Sequence, residues 1–90
     1  MSEWFVYMLR CADNSLYTGI TTDVERREIE HNGKKSVTKY TRVRQPVELV
    51  YRENAGSRSE ASKREVQLKK LKKYEKEALV AANIEEKMNG

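Results

Sequence analysis

The first third of the chain constrains the fold most strongly. Residues 4–11 are mostly apolar and aromatic, and the run is too short for a typical buried helix, so it predicts a strand. Turn-forming residues follow at 12–15, where Asn14 can adopt the left-handed conformation, and residues 16–20 predict a returning strand of an antiparallel hairpin. Gly19 marks a bulge or the close approach of another group to the backbone, or is tolerated near a strand end.

The register of this hairpin decides whether two tyrosines share a face. Directly opposed residues of an antiparallel pair point the same way, so Tyr7 and Tyr17 face together only if paired residue numbers sum to an even value. A three-residue loop that pairs Cys11 with Ser15 satisfies this condition. A four-residue loop that pairs Cys11 with Leu16 does not, unless a bulge corrects the register, and the sequence leaves both loops open.

A short helix is predicted after the hairpin, over residues 23–31. The capping-box pattern from Thr22 to Glu25 predicts its start. Asn32 followed by Gly33 predicts its end, because both residues favour helix C-termini.

Side chains that could take part in catalysis occur on the hairpin and on this helix. Spacing places Val24, Arg27 and His31 on one helix face, where a core-facing stripe would carry leucines. The guanidinium and the chain's one imidazole lie in the same compact unit as Tyr7 and Tyr17. Such a collection is unlike an ordinary core and indicates a candidate active site.

A basic loop and a third strand are predicted next. Residues 34–46 favour the loop, which includes one short helical turn, and Pro46 suits the start of a strand. Val47, Leu49 and Tyr51 alternate with polar residues, interrupted by Val50, so we expect an edge or half-buried strand that turns these three side chains to one face.

Two helices are predicted to end the chain. A second capping box begins at Ser57 and predicts a helix to about residue 73. Residues 74–89 favour helix again, with Ile84 and Met88 among the packing residues. We expect the break near residues 72–74, although neither Gly nor Pro nor a clear cap separates the two segments.

A carboxylate lies on the apolar stripe of the first of these helices. Glu65 shares this line with Ala61, Leu68 and Leu71. A carboxylate on a core-facing line costs desolvation unless a cation or a hydrogen-bond partner meets it. A salt bridge to Arg27 and a metal site are the two interpretations, and spacing alone favours the salt bridge.

Basic residues are unevenly distributed over a chain of net charge +4. Residues 34–44 contain no acidic residue, and residues 58–73, which include Lys69, contain seven basic and two acidic residues. Phosphates are attracted to such surfaces, so a nucleic-acid partner is favoured. For a charge run alone, a solvated surface without a partner is an alternative of about equal weight. The five basic residues of the first stretch are Lys34, Lys35, Lys39, Arg42 and Arg44.

Several functional classes are excluded by what the sequence lacks. One cysteine, Cys11, permits neither an internal disulfide nor a thiolate zinc site. The sequence shows no phosphate-binding glycine loop and no convincing nucleophile for a triad with His31. It also shows no membrane-spanning run and no signal-peptide pattern, and we expect a single cytoplasmic domain over residues 1–90. The remaining inventory suits phosphodiester chemistry.

The order of these residues resembles the GIY-YIG nuclease superfamily. Tyr7 lies in the triplet FVY, and the run YTGITTDVERREIEHN at 17–32 is similar to the motif of small stand-alone bacterial members. The likeness extends over nearly the whole chain. Two departures stand out: FVY replaces Gly-Ile-Tyr, and Glu28 occupies a usually apolar position, where we expect it to twist the helix packing or to place an extra acid near Arg27.

The resemblance implies a role for each candidate residue. Tyr7 and Tyr17 match the motif tyrosines, one of which activates the attacking water, and Gly19 matches the motif glycine. Arg27 stabilises charge on the phosphate, and His31 shapes or assists the site. Glu65 matches the helix glutamate that binds a single divalent ion, Mg²⁺ or Mn²⁺.

The resemblance also implies a fold and a reaction. The fold is α/β (α+β), a small three-stranded antiparallel sheet flanked by helices. The reaction is metal-dependent hydrolysis of DNA, with branched repair or recombination intermediates among the candidate substrates. The alternatives are a DNA-binding module that is idle alone or needs a protein partner, and a structural role with a relic site.

Overall fold

The computed structural model describes residues 3–89, with side chains described up to residue 83. The protein has an α+β fold in which three strands form one antiparallel sheet with helices against both of its faces. The elements are β1 (Phe5–Arg10), β2 (Leu16–Thr21), α1 (Val24–His31), α2 (Lys39–Arg42), β3 (Glu48–Asn54), α3 (Arg58–Lys69) and α4 (Lys73–Asn89). Across the described residues, no helix is both long enough and apolar enough to cross a membrane.

The hairpin has the three-residue loop. Strand order is β2-β1-β3, and β1 pairs with β2 so that Leu9 lies opposite Tyr17. The N–H of Cys11 donates to the carbonyl of Ser15 at 2.9 Å, and Asn14 has a φ of 70°, the left-handed conformation expected of it. Every paired number sums to an even value, so Tyr7 and Tyr17 lie on the same face of the sheet.

Gly19 allows the close approach of a side chain to β2. It lies directly opposite Tyr7, and a Cβ atom at position 19 would lie 2.7 Å from the Tyr7 hydroxyl oxygen and 2.8 Å from its Cζ. The tyrosine ring therefore occupies the space that a side chain at position 19 would take. Of the interpretations open from the sequence, the close approach is confirmed.

The sheet separates two apolar clusters. One face of β1 contributes Val6 and Met8 to a cluster with α3 and α4, and the other contributes Tyr7 and Leu9 to a cluster with α1. Burial of these side chains supplies most of the driving force for folding. The candidate tyrosines belong to the α1 side.

A bulge in β3 corrects the predicted alternation of that strand. Met8 pairs with Tyr51 whereas Leu9 pairs with Leu49, so Val50 is the extra residue. Leu49 consequently packs on the α1 side and Tyr51 on the α3 side. The prediction that Val47, Leu49 and Tyr51 share one face is wrong for Tyr51, because the bulge reverses the alternation at Val50.

Helix α1 is attached to the free edge of β3. Its N-cap is Asp23, which accepts the N–H of Arg26, rather than the predicted Thr22. Glu28 accepts the N–H of Leu49 at 2.6 Å, and the amide of Asn32 accepts the N–H of Val47 at 2.7 Å. Glu28 thus satisfies a strand-edge donor, and its expected role as an extra acid beside Arg27 is replaced by this structural one.

The last two helices begin close to where the sequence predicts. Ser57 caps α3 by accepting the N–H of Glu60, but the helix ends at Lys69, earlier than residue 73. Helix α4 then begins at Lys73. The predicted packing residues Ile84 and Met88 lie outside the described side chains.

Candidate active site

The centre of the site is a buried pair formed by a phenol and an imidazole. The Tyr7 hydroxyl lies 2.9 Å from His31 Nε2. Tyr7 is 2% exposed and His31 is 1% exposed, so solvent scarcely reaches the contact. Strand β1 and the last residue of α1 bring the two groups together, because Asn32 fixes the C-terminal end of α1 to Val47, just before β3.

A hydroxyl lies on the far side of the imidazole. Thr41 Oγ1 is 2.8 Å from His31 Nδ1, and Thr41 is fully buried within α2. Sequence reasoning missed this residue, since a threonine in a basic loop carries no local signal of a contact with a histidine ten positions earlier.

Tyr17 extends the aromatic group toward α2. Its ring centroid lies 5.0 Å from that of His31, 6.5 Å from that of Tyr7 and 5.8 Å from that of Tyr40. Such separations lie in the range of tilted aromatic contacts. The structure therefore brings both predicted tyrosines and the predicted histidine together, and it adds Tyr40, which the sequence did not single out.

Arg27 has a free donor inside the site. Its Nη1 donates to Glu30 at 3.0 Å, but its Nε is buried and has no partner among the described residues. The salt bridge between Arg27 and Glu65 is absent from the described ion pairs, so that interpretation is wrong: Glu30, one turn along the same helix, is within easier reach. A buried, unpartnered guanidinium donor is costly unless a ligand satisfies it.

Glu65 lies half-buried on α3, within electrostatic range of Tyr7. Its carboxylate contacts Lys69 at 3.4 Å, and its negative charge is among the factors that raise the pKa of Tyr7. The apolar neighbours predicted for it, Ala61 and Leu68, are fully buried. Helix α3 therefore presents Glu65 at the border between the core and the site.

Burial controls the titration of the central pair. Desolvation raises the pKa of the Tyr7 phenol far above its usual range, the neighbouring Tyr17 adds to this, and the positive charge of Arg27 opposes it. Desolvation also lowers the pKa of His31, with Arg27 acting in the same direction and Glu30 against it. Near neutral pH the contact therefore joins a neutral phenol and a neutral imidazole.

The donor set fits one weakly held, hard cation better than a closed metal site. Among the described residues, no group of three or more His, Cys, Asp or Glu side chains is arranged to hold a metal. Mg²⁺ commonly binds through one or two carboxylates and keeps several waters and substrate oxygens. The single carboxylate of Glu65, with Arg27 available for a substrate phosphate, matches that kind of site, and a structural zinc site is not supported.

An open cavity lies between β2, α2 and the last two helices. It has a volume of about 270 Å³, and Thr18, 3% exposed, contributes a hydroxyl oxygen with no partner among the described residues. The cavity therefore combines aromatic faces with positive charge. Its lining residues are Leu16, Tyr17, Thr18, Tyr40, Lys69 and Lys76.

Most of the predicted basic residues lie on the surface beside this site. Lys34, Lys35, Lys39 and Arg42 are exposed and take part in none of the described ion pairs. Arg44 differs, because its guanidinium pairs with Asp13 at 3.0 Å and stacks on the Tyr40 ring at 3.9 Å. Lys69 faces the cavity and contacts Glu65.

Comparison with known proteins agrees with this geometry. A model of the GIY-YIG catalytic domain matches residues 3–78. The chain belongs to the GIY-YIG family. It is 55% identical over 80 residues to UPF0213 protein DP2720 of Desulfotalea psychrophila, covering 89% of this chain and 73% of that protein. It is 50% identical over 84 residues to a UPF0213 protein of Cronobacter sakazakii, covering 93% and 87%.

Two solved structures of relatives share the GIY-YIG fold of this chain. The solution structure of UPF0213 protein BH0048 from Bacillus halodurans is 44% identical and superposes with a TM-score of 0.56, covering 89% of this chain and 84% of that one. The solution structure of EF2693 from E. faecalis is 38% identical with a TM-score of 0.59, covering 93% and 90%. The predicted α+β fold and the predicted family are thus confirmed, and a nuclease-type function is indicated by the family.

Proposed function

We propose that this GIY-YIG protein is an endonuclease that uses one divalent ion to hydrolyse phosphodiester bonds of DNA. The observation that carries the proposal is the meeting of a phenol–imidazole pair with an arginine whose buried Nε has no partner in the described part of the chain. A phosphate oxygen is the ligand that such a donor suits best, because a guanidinium binds phosphate through charge-assisted hydrogen bonds.

Arg27 is proposed to hold the scissile phosphate. Its Nη1 donates to Glu30 on the same helix, which orients the guanidinium, while its buried Nε has no partner among the described residues. Negative charge grows on the non-bridging oxygens as water attacks phosphorus, and a preorganised cation stabilises that charge without reorganising solvent.

Tyr7 is proposed as the base that activates the attacking water. It differs from Tyr17 in that its hydroxyl lies 2.9 Å from a ring nitrogen, His31 Nε2, which can accept a proton in one of the two imidazole tautomers. The Tyr7 proton moves to Nε2 while the phenol oxygen takes a proton from water, so the buried oxygen never carries a full charge alone. Tyr17 packs against the imidazole.

Glu65 is proposed to hold the divalent ion, Mg²⁺ or Mn²⁺. Such an ion would supply Lewis-acid stabilisation of the phosphoryl oxygens. Glu65 contributes one carboxylate ligand, and water and phosphate would complete the coordination. Lys69, which contacts Glu65 at 3.4 Å, would be released to the DNA strand when the carboxylate binds a cation.

The DNA strand is proposed to follow the basic surface beside the site. The exposed residues Lys34, Lys35, Lys39 and Arg42 provide charge on α2 and the segment before it. Tyr40 connects that surface to Tyr17 at the site. We also propose that residues 1–90 work as one domain in the cytoplasm, where branched repair or recombination intermediates of DNA occur, with or without a protein partner.

A cleavage assay with matched variants tests the proposal. Branched and single-stranded DNA are incubated with Mg²⁺ or Mn²⁺ and with Arg27→Ala or Glu65→Gln protein, both of which should lose cleavage. Arg26→Ala removes an exposed guanidinium of the same helix, and Glu60→Gln removes an exposed carboxylate of α3, so both controls should remain active. Equal cleavage by all four variants would identify a contaminant and refute the assignment.

A DNA-binding module without turnover is the second candidate. The observation that favours it is that, in the described part of the chain, Glu65 belongs to no group of three or more His, Cys, Asp or Glu side chains that could hold a metal. Salt-dependent binding of DNA without cleavage under any divalent ion would support it. Metal-dependent turnover that is lost with Glu65→Gln would exclude it.

A further inference from the structure

The Nδ1 atom of His31 contacts a hydroxyl group, which in turn contacts two further hydroxyl groups, and not a carboxylate. Thr41 Oγ1 lies 2.8 Å from His31 Nδ1, 2.7 Å from Ser36 Oγ and 2.8 Å from Thr38 Oγ1. His31 and Thr41 are both buried. Thr41 is therefore the group that determines what Nδ1 can do.

The two nitrogens of a neutral imidazole are not equivalent. One carries hydrogen and donates, and the other accepts through its lone pair. In this site each nitrogen faces a hydroxyl, Thr41 at Nδ1 and Tyr7 at Nε2. A hydroxyl can donate or accept, so the remaining contacts of the two hydroxyls must decide the tautomer.

The contacts at both ends allow hydrogen on Nδ1. The single hydroxyl hydrogen of Thr41 can be given to the Thr38 carbonyl, which only accepts and lies 3.4 Å from Oγ1; a lone pair then remains for Nδ1–H. At the other end the described hydrogen bond of the Tyr7 hydroxyl is the one to His31, so its hydrogen can point at Nε2.

We propose that Thr41 is a positioning residue that holds His31 in the tautomer with hydrogen on Nδ1, so that Nε2 can receive the Tyr7 proton. This inference rests on the proposed nuclease function for its purpose but not for its test. When Tyr7 gives up its proton, the O–H electron pair stays on the phenol oxygen and a new N–H bond forms at Nε2. The resulting imidazolium keeps its Nδ1–H bond to Thr41.

The position of Thr41 depends on the short helix α2. Thr38 caps that helix by accepting the N–H of Thr41 at 3.2 Å. The same helix carries Tyr40, which contacts Tyr17, and the exposed Lys39 and Arg42. The tautomer of His31 is therefore coupled to the geometry of the segment proposed to contact DNA.

Nuclear magnetic resonance of the imidazole nitrogens tests the inference without DNA. Ring ¹H–¹⁵N correlations distinguish the two tautomers at a pH well above the ordinary His value. Wild-type protein and Thr41→Ser should show hydrogen on Nδ1, and Thr41→Val, which removes the acceptor and keeps the shape, should lose the hydrogen-bonded Nδ1–H and gain the other tautomer. Hydrogen on Nε2 in the wild type, or an unchanged ring in Thr41→Val, would overturn the proposal.

Controls separate this role from a merely structural one. Ser36→Ala removes a hydroxyl that contacts Thr41 but not His31, and it should leave the tautomer unchanged. Backbone amide spectra show whether Thr41→Val remains folded, and Thr41→Ala replaces it if it does not. The wild-type spectrum also tests the tautomer without any variant, because hydrogen on Nε2 in the wild type overturns the proposal.

The activity readout then connects the tautomer to catalysis. Loss of an outer-shell partner of a metal-bound histidine typically reduces metal affinity or activity about 10- to 100-fold. By analogy, Thr41→Val should lower kcat by a similar factor and Thr41→Ser should restore it. Hydrogen on Nδ1 in a protein that cleaves nothing would refute the nuclease proposal and leave the tautomer assignment standing. Hydrogen on Nε2 in an active nuclease would refute the role of Thr41 alone.

Discussion

Replacement of Gly19 by alanine should damage the site through a single methyl group. The new Cβ would lie 2.7 Å from the Tyr7 oxygen, 2.8 Å from Cζ and 3.1 Å from Cε1. Ordinary contact begins near 3.4 Å, so the hydroxyl end of the ring must move by about 0.7 Å, the difference between the two distances. The hydroxyl oxygen and two ring carbons are affected, so rotation of the hydroxyl alone gives no relief.

The expected cost follows from how firmly Tyr7 is held. The side chain is 2% exposed and its oxygen is bonded to His31, so displacement strains the core and lengthens the 2.9 Å contact. Insertion of a methyl group into a packed core costs about 1–3 kcal/mol. For a domain of this size each kcal/mol lowers the Tm by roughly 4–8 °C. Denaturant unfolding and the Tm measure this cost, and a cleavage assay should show the rate falling as well.

Two comparisons make the prediction refutable. Gly33→Ala is the matched control, because the atom nearest to its new Cβ would lie at 3.5 Å, and it should change stability far less. In a Tyr7→Leu background the ring is absent, so Gly19→Ala should cost little, and the coupling between the two substitutions measures the clash. Equal stability of Gly19→Ala and wild type, or an equal cost in both backgrounds, would refute the reasoning.

Three further predictions concern the edge bond, the buried histidine and the basic surface. Glu28→Ala should lower the free energy of unfolding by about 1–3 kcal/mol, because it leaves the Leu49 N–H without its acceptor; an unchanged denaturation midpoint would contradict this. Burial lowers the pKa of His31 below its ordinary value of 6.5, so the unfolded chain binds the proton more readily and stability should fall as pH drops through that value. Unfolding curves from pH 8 to 5, compared with those of His31→Gln, should show this slope only in the wild type. The exposed basic residues to neutralise one at a time are Lys34, Lys35, Lys39 and Arg42. Each substitution should reduce the slope of log affinity for DNA against log salt concentration by about 0.7–0.9 for each phosphate contact that is lost. Arg44→Ala should reduce the slope less, because Arg44 is already paired with Asp13.

The local features of this fold were predictable because they depend on residues close in sequence. Alternation, turn residues and capping signals located the hairpin and the helices, and the parity argument made the shared face of Tyr7 and Tyr17 depend on one loop length. The sequence could not choose that loop, since both loops use the same turn residues. Asn14 in the left-handed conformation and the bond from Cys11 to Ser15 show which one forms.

The features that sequence reasoning missed are contacts between distant side chains. Thr41 on His31 and Glu28 on Leu49 join residues whose separation fits no helical or strand period. The bulge at Val50 was also not predictable from nearby residues, because it depends on how β3 pairs with β1, a strand about 40 positions earlier in the chain. The partner of Arg27 is the opposite case: Glu30 is a local partner at helical spacing, and it competes successfully with the distant Glu65 that the apolar stripe of α3 suggested.

The hydrogen bonds of the site explain how a small domain can bury several polar side chains. Each hydroxyl or imidazole of the central chain meets another, Tyr7 with His31 and His31 with Thr41, so the desolvation of each is offset by a hydrogen bond. Within the described residues, Arg27 Nε is the donor of this group that stays unsatisfied, and it belongs to a side chain that carries a full charge. A phosphate would satisfy that donor, so substrate binding should stabilise the fold as well as begin the reaction. The proposed function and the stability of the domain thus depend on the same guanidinium nitrogen.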